Sequence, residues 1–550
     1  MVNKKAKQKN IQSAINLFQQ GKLDHATECL IEIIDQWKEN AQAWFLLATI
    51  HLQNSQLEEA KQAFENAIKH QIKYPDAYNN LGVVNQALNN NSEAEKCYRN
   101  ALKQRPDYAN AHYNLGQILQ SKGLIDNAIE HYLLAIKFQP KYVKALNNLA
   151  MLYQSKGYNN KAKNYYLSAI KLSPSDPEIL NNYGFTLYSN HEYQGALESF
   201  NKVLKIIPEF HDTFLNIGLV LQATGDLEAA KIYFQKASKN PRLAFQANHN
   251  IAHLELSREN YAQGWDYYRF RPSTRGNNQE IPINVTGNGN SQRILLVKDQ
   301  GIGDELFFLR FLPELQKQVS EIAYYCDEKL QPLLSRNLSN CEFLATMPDK
   351  NNFDTVIPIA DLPRFVSHQS DIPLPVKLQP ESSRLDEVFL HLPNNKLPNI
   401  AVTWQAGIQG DNKLFKRIPP DELGHMLSNI NANIIILQRN PNPKDIKLLE
   451  KGLKRKVFNY SYINESLDNT LAFLSIVDSY IGVSNTNMHL MASLRKNAFV
   501  FIPHPPEWRW LYQGDSSPWF PEFKLYRQNV AGQWEKALNL CHDSLNSLYN

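Results

Sequence analysis

Cysteine is scarce in this sequence and widely scattered. Five occur in 550 residues, at 29, 97, 326, 341 and 541, with no CxxC pair and no histidine-rich tract. That spacing argues against a disulfide scaffold or zinc module and for a reducing compartment. Long apolar runs are missing as well, and none reaches the roughly 18–20 residues a spanning helix needs. The basic opening MVNKKAKQKN has no apolar core after it, which argues against a secretory signal. The expectation is a cytoplasmic protein with no integral membrane segment. Neither sign of charge dominates: residues 1–280 hold 31 Lys+Arg against 26 Asp+Glu, and residues 281–550 hold 27 against 28. Neither half is basic enough to imply nucleic acid. Aromatic residues make up 11%, too many for a disordered chain. No D-x-D stands at the end of a strand-like run and no G-x-S-x-G elbow is present, so neither a metal site nor a serine-hydrolase centre is expected. The length exceeds one core and implies roughly two to four domains.

What is present in the first half is a repeat. In 34-residue frames starting at 41, 75, 109, 143, 177 and 211, alanine falls at 60, 94, 128, 162, 196 and 230. An aromatic follows four residues later each time: Phe64, Tyr98, Tyr132, Tyr166, Phe200 and Phe234. Pro106, Pro140, Pro174 and Pro208 close their frames, and first-helix segments read YNNLG, HYNLG, LNNLA, LNNYG and FLNIG. This register resembles the tetratricopeptide repeat over about residues 7–270, an α-solenoid of antiparallel helix pairs. Small residues at the eighth and twentieth positions allow close helix contact, the aromatic is expected to plug the neighbouring unit, and proline stops the second helix. Frame 7–40 is degenerate, and Gly264 stands where alanine is expected in the last frame.

The sixth frame position is Asn80, Asn114, Asn148, Asn182, Asn216 and Asn250. A column of amides offers donors and acceptors to an extended peptide backbone. It resembles the asparagine ladder of the O-linked N-acetylglucosamine transferases, which implies a protein or peptide partner in the groove. The alternative is that these amides only bridge adjacent helices.

Residues 271–292 are polar and rich in Gly, Pro and Asn, and read as a linker. Beyond it the period changes. RILLVKD (293–299) is a strand leading through Gly301 and Gly303 into a helical ELFFLRFLPELQKQ, the opening of a Rossmann-like half. IAYYC (322–326) and TVIPI (355–359) are further strands. A second alternation follows, with strands at 399–407, 433–438, 479–484 and 497–503 and helices at 422–430, 467–477 and 486–494. The expected architecture is a solenoid (1–270), a linker (271–292) and a GT-B type pair of α/β Rossmann-like halves (293–398 and 399–550). The segments DQGIGDELFFLRFLPEL, KLFKRIP, SYIGVSNTNMHLMASL and PPEWRWL resemble the heptosyltransferase-type glycosyltransferases, particularly the bacterial branch with tetratricopeptide repeats in front.

That resemblance implies sugar transfer from a nucleotide-sugar substrate, with no cofactor and no metal. Asp304 is the expected base for the acceptor hydroxyl, or else an ordinary helix cap. Lys416 and Arg417 match the family's basic pair and would stabilise a departing diphosphate. Asn485, Thr486 and His489 begin a helix, where backbone N–H groups and the helix dipole favour phosphate. Trp404, Gln438 and Glu507 are candidates for the nucleoside pocket, while Trp508, Trp510 and Trp519 suit either a core, the commoner place for bulky aromatics, or a donor pocket. One departure stands out: the family's Asp-Thr-Gly is replaced here by Ser484-Asn485-Thr486. The readings are a transferase acting on a protein recruited by the repeats, a non-catalytic scaffold with a degenerate transferase domain, or a transferase acting on a surface glycan.

Overall fold

The computed structural model describes residues 2–274, 292–366, 372–389, 392–393, 395–406 and 416–550. Most of the expected linker (275–291) and Gly407 lie outside the described residues. The chain divides into two compact units, Met1–Thr186 and Leu187–Asn550.

The first unit is all helix. α1 (Val2–Gln19) pairs with α2 (Leu23–Gln36), α3 (Ala41–Gln53) with α4 (Leu57–His70), and α5 (Pro75–Ala87) with α6 (Asn91–Gln104). α7 (Ala109–Ser121) pairs with α8 (Ile125–Phe138) and α9 (Val143–Ser155) with α10 (Asn159–Leu172), and the unit boundary falls inside α11 (Pro177–Ser189). Helices α3, α5, α7, α9 and α11 each begin on the first residue of a 34-residue frame, and the degenerate first frame also forms a pair.

The glycines explain the register. A Cβ on Gly82 would stand 2.5 Å from the Tyr98 ring, and one on Gly116 would stand 2.7 Å from the Tyr132 ring. The aromatic therefore lies on the glycine of its own unit and also meets the next one, where Asn148 Nδ2 donates to the Tyr132 hydroxyl at 3.3 Å and Tyr98 shares a core with Tyr113 and Leu115. Its hydroxyl donates within the same unit, Tyr98 to Gln86 at 2.9 Å and Tyr132 to Gln120 at 2.8 Å. Both rings are fully buried, and each such burial contributes about 1.5–3 kcal/mol. The turn inside each pair needs a left-handed residue at the fifteenth position: Gly123 and Gly157 supply it without strain, whereas Ser55 and Asn89 hold φ of 58° and 62°.

The second unit opens with more helices: α12 (Tyr193–Ile206), α13 (His211–Thr224), α14 (Leu227–Ser238), α15 (Pro241–Ser257) and α16 (Tyr261–Tyr268). Gly264 has a steric reason to differ from alanine, because a Cβ there would lie 2.6 Å from Leu256.

Two parallel sheets follow. The first contains β1 (Arg293–Val297), β2 (Glu321–Tyr325), β3 (Glu342–Leu344) and β4 (Thr355–Pro358), in the order β3-β2-β1-β4. Its helices are α17 (Ile302–Phe308), α18 (Leu312–Gln316), α19 (Gln331–Asn337) and α20 (Leu362–Val366), with α21 (Ser382–Phe389) leading on. The single helix expected over 305–318 is broken by a 3-10 turn at Leu309–Phe311, just before Pro313.

The second sheet contains β5 (Asn399–Val402), β6 (Asn433–Ile436), β7 (Phe458–Asn459), β8 (Ser479–Val483), β9 (Ala498–Ile502) and β10 (Phe523–Arg527). Its helices are α22 (Pro420–Met426), α23 (Pro443–Leu453), α24 (Leu467–Ile476), α25 (Thr486–Ser493) and α26 (Glu535–Tyr549). The order β7-β6-β5-β8-β9-β10 is the doubly wound arrangement, and the first sheet reproduces its first four strands. Every residue of β6, β8 and β9 is buried, as parallel strands covered on both faces require.

One apolar core joins Ile294, Tyr324 and Ile357 of the first sheet with Tyr480 and Val500 of the second and with Trp265 of α16. The other face of the second sheet packs under α22, α23 and α26. Arg271, expected to open a solvated linker, is instead fully buried. It pairs with Asp299 at 2.5 Å and with Asp361 at 2.7 Å. Burial opposes its charge, but the two carboxylates outweigh that and raise its pKa.

Candidate functional site

In a doubly wound sheet, ligands bind beyond the carboxyl ends of the strands where the order reverses. Those places are beside β1 and β4 in the first sheet, and beside β5 and β8 in the second. The residues after β1 and β8 are those the sequence singles out.

After β1, Gly301 caps α17, and Gly303 and Asp304 lie in its first turn. Asp304 is thus inside the helix and is not its cap. After β8, Asn485 caps α25: its Oδ1 accepts from the Met488 N–H at 3.2 Å and from the Tyr480 hydroxyl at 2.9 Å. Its Nδ2 donates to Thr403 Oγ1 at 3.0 Å. Gly482 leaves the space for this network, since a Cβ there would stand 2.2 Å from Thr403 Oγ1. Asn485 is therefore engaged by protein on both ends of its amide.

The two reversal points meet. A Cβ on Gly303 would lie 3.1 Å from His489 Cδ2 and 3.7 Å from Thr486 Oγ1. Asp304 accepts from Arg509 at 2.5 Å. Arg509 is nearly buried and stacks 4.5 Å from the Phe307 ring and 4.8 Å from the Trp508 ring. Glu507, 27% exposed, pairs with Lys416 and accepts from Ser484 Oγ at 3.1 Å. Burial opposes the Glu507 charge, but Lys416 and Arg509 outweigh it and hold the carboxyl at about 2. His489 is held well below its ordinary value, first by burial and then by the Arg509 and Arg310 cations, so it is neutral. The result is an alternation of two carboxylates and two cations around a neutral imidazole.

Other expected site residues lie elsewhere. Arg417 does not act with Lys416: it pairs with Asp445 on α23 at 2.8 Å. Trp404 is 1% exposed, inside the core beneath α22 and α23. Gln438 Oε1 accepts from the backbone N–H groups of Trp404 and Gln405 at 3.1 and 3.0 Å, so its carbonyl holds the end of β5. Of the two readings of Trp508, Trp510 and Trp519, the structure shows the core.

The asparagine column is half-buried throughout. Asn114 Nδ2 donates to Asn79 Oδ1 of the preceding frame at 3.1 Å, and Asn148 Nδ2 reaches the Tyr113 hydroxyl at 3.4 Å. Asn80 accepts from Asn79 at 3.1 Å. Asn114 and Asn148 thus bridge units, as the alternative reading held, while remaining partly exposed. Asn182 is half-buried in the first unit and Asn216 in the second; the Asn250 Nδ2 is buried without a partner.

Five contributors escaped the sequence reading. Arg509 sits in an aromatic WRW segment that reads as core. His249 and His253 of α15 meet edge-on with ring centroids 4.5 Å apart. Burial, then His249, lowers the His253 pKa far below its ordinary value, with Glu507, Arg509 and Lys416 all close enough to act on it. Tyr268 of α16 accepts from Gln300 Nε2 at 3.2 Å, beside the glycine turn. Trp265 of α16 meets Trp508 edge-on at 5.2 Å. The helices of the second unit thus supply one wall of the site.

Among the described residues, no group of three or more His, Cys, Asp and Glu is placed to hold a metal, and no helix is long and apolar enough to cross a membrane.

Tetratricopeptide-repeat models match residues 11–78, 79–143, 143–176 and 211–240. The helix pairs over those residues are tetratricopeptide repeats. Protein FlbA of Caulobacter vibrioides is 22% identical over 307 residues, covering 50% of this chain and 51% of that protein. The chain therefore spans about half the length of this curated relative. Among solved structures, MamA is 22% identical over 29% of this chain and 94% of its own, with a TM-score of 0.28. Pseudomonas aeruginosa PilF is 22% identical over 37% of this chain and 92% of its own, with a TM-score of 0.34.

Proposed function

We propose that the second unit is a GT-B type glycosyltransferase that takes a nucleotide-diphosphate sugar, and that the repeats recruit a protein or peptide acceptor. The observation that carries this reading is the contact between the two sheet-reversal points, Gly303 against His489 and Asp304 against Arg509. Two Rossmann-like halves meeting at those points bring an acidic side chain from one half to cations and a helix N-terminus of the other. In this reading Asp304 takes the acceptor proton once Arg509 swings to the substrate. Arg509 and Lys416 balance the charge that builds on the leaving diphosphate, and the neutral His489 donates one N–H to it. Binding a diphosphate exchanges the Asp304–Arg509 and Lys416–Glu507 pairs for contacts with ligand. The test is release of nucleoside diphosphate from UDP-, GDP- and ADP-sugars, and of CMP from CMP-sugars as the contrasting monophosphate donor, with the acceptor supplied from a peptide pool. Turnover with one donor class, lost in Asp304→Asn, supports the reading; turnover unchanged in both Asp304→Asn and His489→Ala overturns the roles.

A second reading has its own support. Both cations are already paired with carboxylates, the aromatic block of Trp265, Phe307, Trp508 and Trp519 packs continuously across the junction, and Ser484 stands at the position of the family's aspartate. These features suit a rigid interaction scaffold, which binds partners and turns over no donor.

A further inference from the structure

Residues 131–175 hold seven lysines and no Asp, Glu or Arg. The frame at 75–108, by contrast, holds four carboxylates and four cations. The lysine-only stretch covers the end of α8, all of α9 and all of α10 in the first unit. Lys69, Lys103, Lys137 and Lys171 recur at one frame position, each exposed and in the last turn of its helix. Helix dipoles favour a cation there, which accounts for that column. It does not account for the missing carboxylates or for the side chains beside them.

Leu133 and Leu167, four residues before the lysine, are 38% and 36% exposed. Phe138 and Leu172, one residue after it, are 39% and 37% exposed. The equivalent positions on α4 are Glu65 and His70, and on α6 they are Arg99 and Gln104. α2 and α12 carry one such exposed apolar side chain each, Ile31 at 47% and Ile206 at 42%, in segments that also carry carboxylates, whereas α8 and α10 carry an exposed apolar residue at both positions, beside the lysine-only stretch. Lys156 is taken by Asp126, and Glu130 of α8 borders the face. Lys137, Lys141 and Lys171 are exposed.

We infer that this face of α8 and α10 docks on an anionic lipid surface. Lysine is depleted at protein–protein interfaces, and arginine is the residue favoured for paired, planar contacts with carboxylates; the stretch uses lysine alone. Long lysine stems spread over a headgroup layer while neighbouring Leu and Phe side chains enter its apolar boundary. Each lysine near such a surface strengthens binding about fivefold.

The test is sedimentation of the full chain with vesicles of mixed phosphatidylcholine and phosphatidylserine, and with phosphatidylcholine alone. Binding to the mixed vesicles only, weakened by salt, is expected. The triple variant Lys137→Ala, Lys141→Ala, Lys171→Ala binds about a hundredfold more weakly. The pair Leu133→Ser and Leu167→Ser also weakens binding but leaves its salt dependence intact. All five positions are exposed, and circular dichroism checks that the variants keep their helices. Failure of the parent chain to bind mixed vesicles, or equal binding by the lysine variant, overturns the inference. So does capture of a poly-glutamate peptide with no vesicle binding, which assigns the face to an acidic protein segment.

Discussion

Replacing Glu507 with glutamine isolates one charge at the junction of the two sheets. The Glu507 carboxyl is held at about 2 against an ordinary 4.5. At about 1.36 kcal/mol per pKa unit, that difference favours the folded state by about 3 kcal/mol at neutral pH. The folded value lies below the unfolded one, so the contribution is complete above an ordinary carboxylate pKa of 4.5 and disappears as the pH falls towards 2. Glutamine keeps the volume and the bond from Ser484 Oγ. It leaves Lys416 without its carboxylate, but that side chain is 32% exposed and can hydrate, so the added penalty stays below that of a fully buried unpaired charge. Urea unfolding of the parent and Glu507→Gln, followed by the fluorescence of the buried Trp508, Trp510 and Trp519, measures the gap. The expected gap is about 3 kcal/mol at neutral pH and about half that near pH 3. A gap below about 1 kcal/mol at neutral pH, or one that does not shrink on acidification, refutes the reasoning; the second result would assign the loss to packing.

Three further substitutions test the fold around the site. Gly82→Ala forces a methyl into the Tyr98 ring 2.5 Å away and is expected to cost about 1–3 kcal/mol in thermal unfolding of the first unit; an unchanged transition would contradict the packing. Glu259→Gly relieves a left-handed residue at φ 63° and is expected to stabilise the second unit by about 0.5–1 kcal/mol in urea, with destabilisation as the contrary result. Arg271→Met strands the carboxylates of Asp299 and Asp361 and is expected to cost about 3–5 kcal/mol. Adding Asp299→Asn and Asp361→Asn to it recovers a good part of that loss, and no recovery would mean the arginine acts through shape alone.

The helical half was legible because its constraints are local. Glycine at the eighth position and an aromatic at the twenty-fourth lie in one unit and touch each other, so the period in the sequence is the period in space. The major strands were legible as short buried apolar runs. β3 and β7, three and two residues long, carry too little pattern to read. Arg271 read as linker because its two partners stand 28 and 90 residues away. The site was legible only in part, for the same reason. Glycine turns and helix starts announce Gly303, Asp304 and His489 locally, whereas the Asp304–Arg509 pair spans 205 residues and His253 belongs to a helix whose sequence reads as one more repeat. Lys416 and Arg417 are adjacent in sequence, yet they turn to Glu507 and Asp445 on different elements.

The central claim is that the meeting point of the two sheets is a diphosphate site. Isothermal titration of the full chain with UDP, GDP, ADP and CDP tests it most directly, with Lys416→Ala and Arg509→Lys as variants. The account predicts that one nucleoside diphosphate binds and that both variants weaken it by at least about tenfold, the loss of one charge-assisted contact. Binding that both variants leave unchanged, or no binding by any of the four, would contradict it.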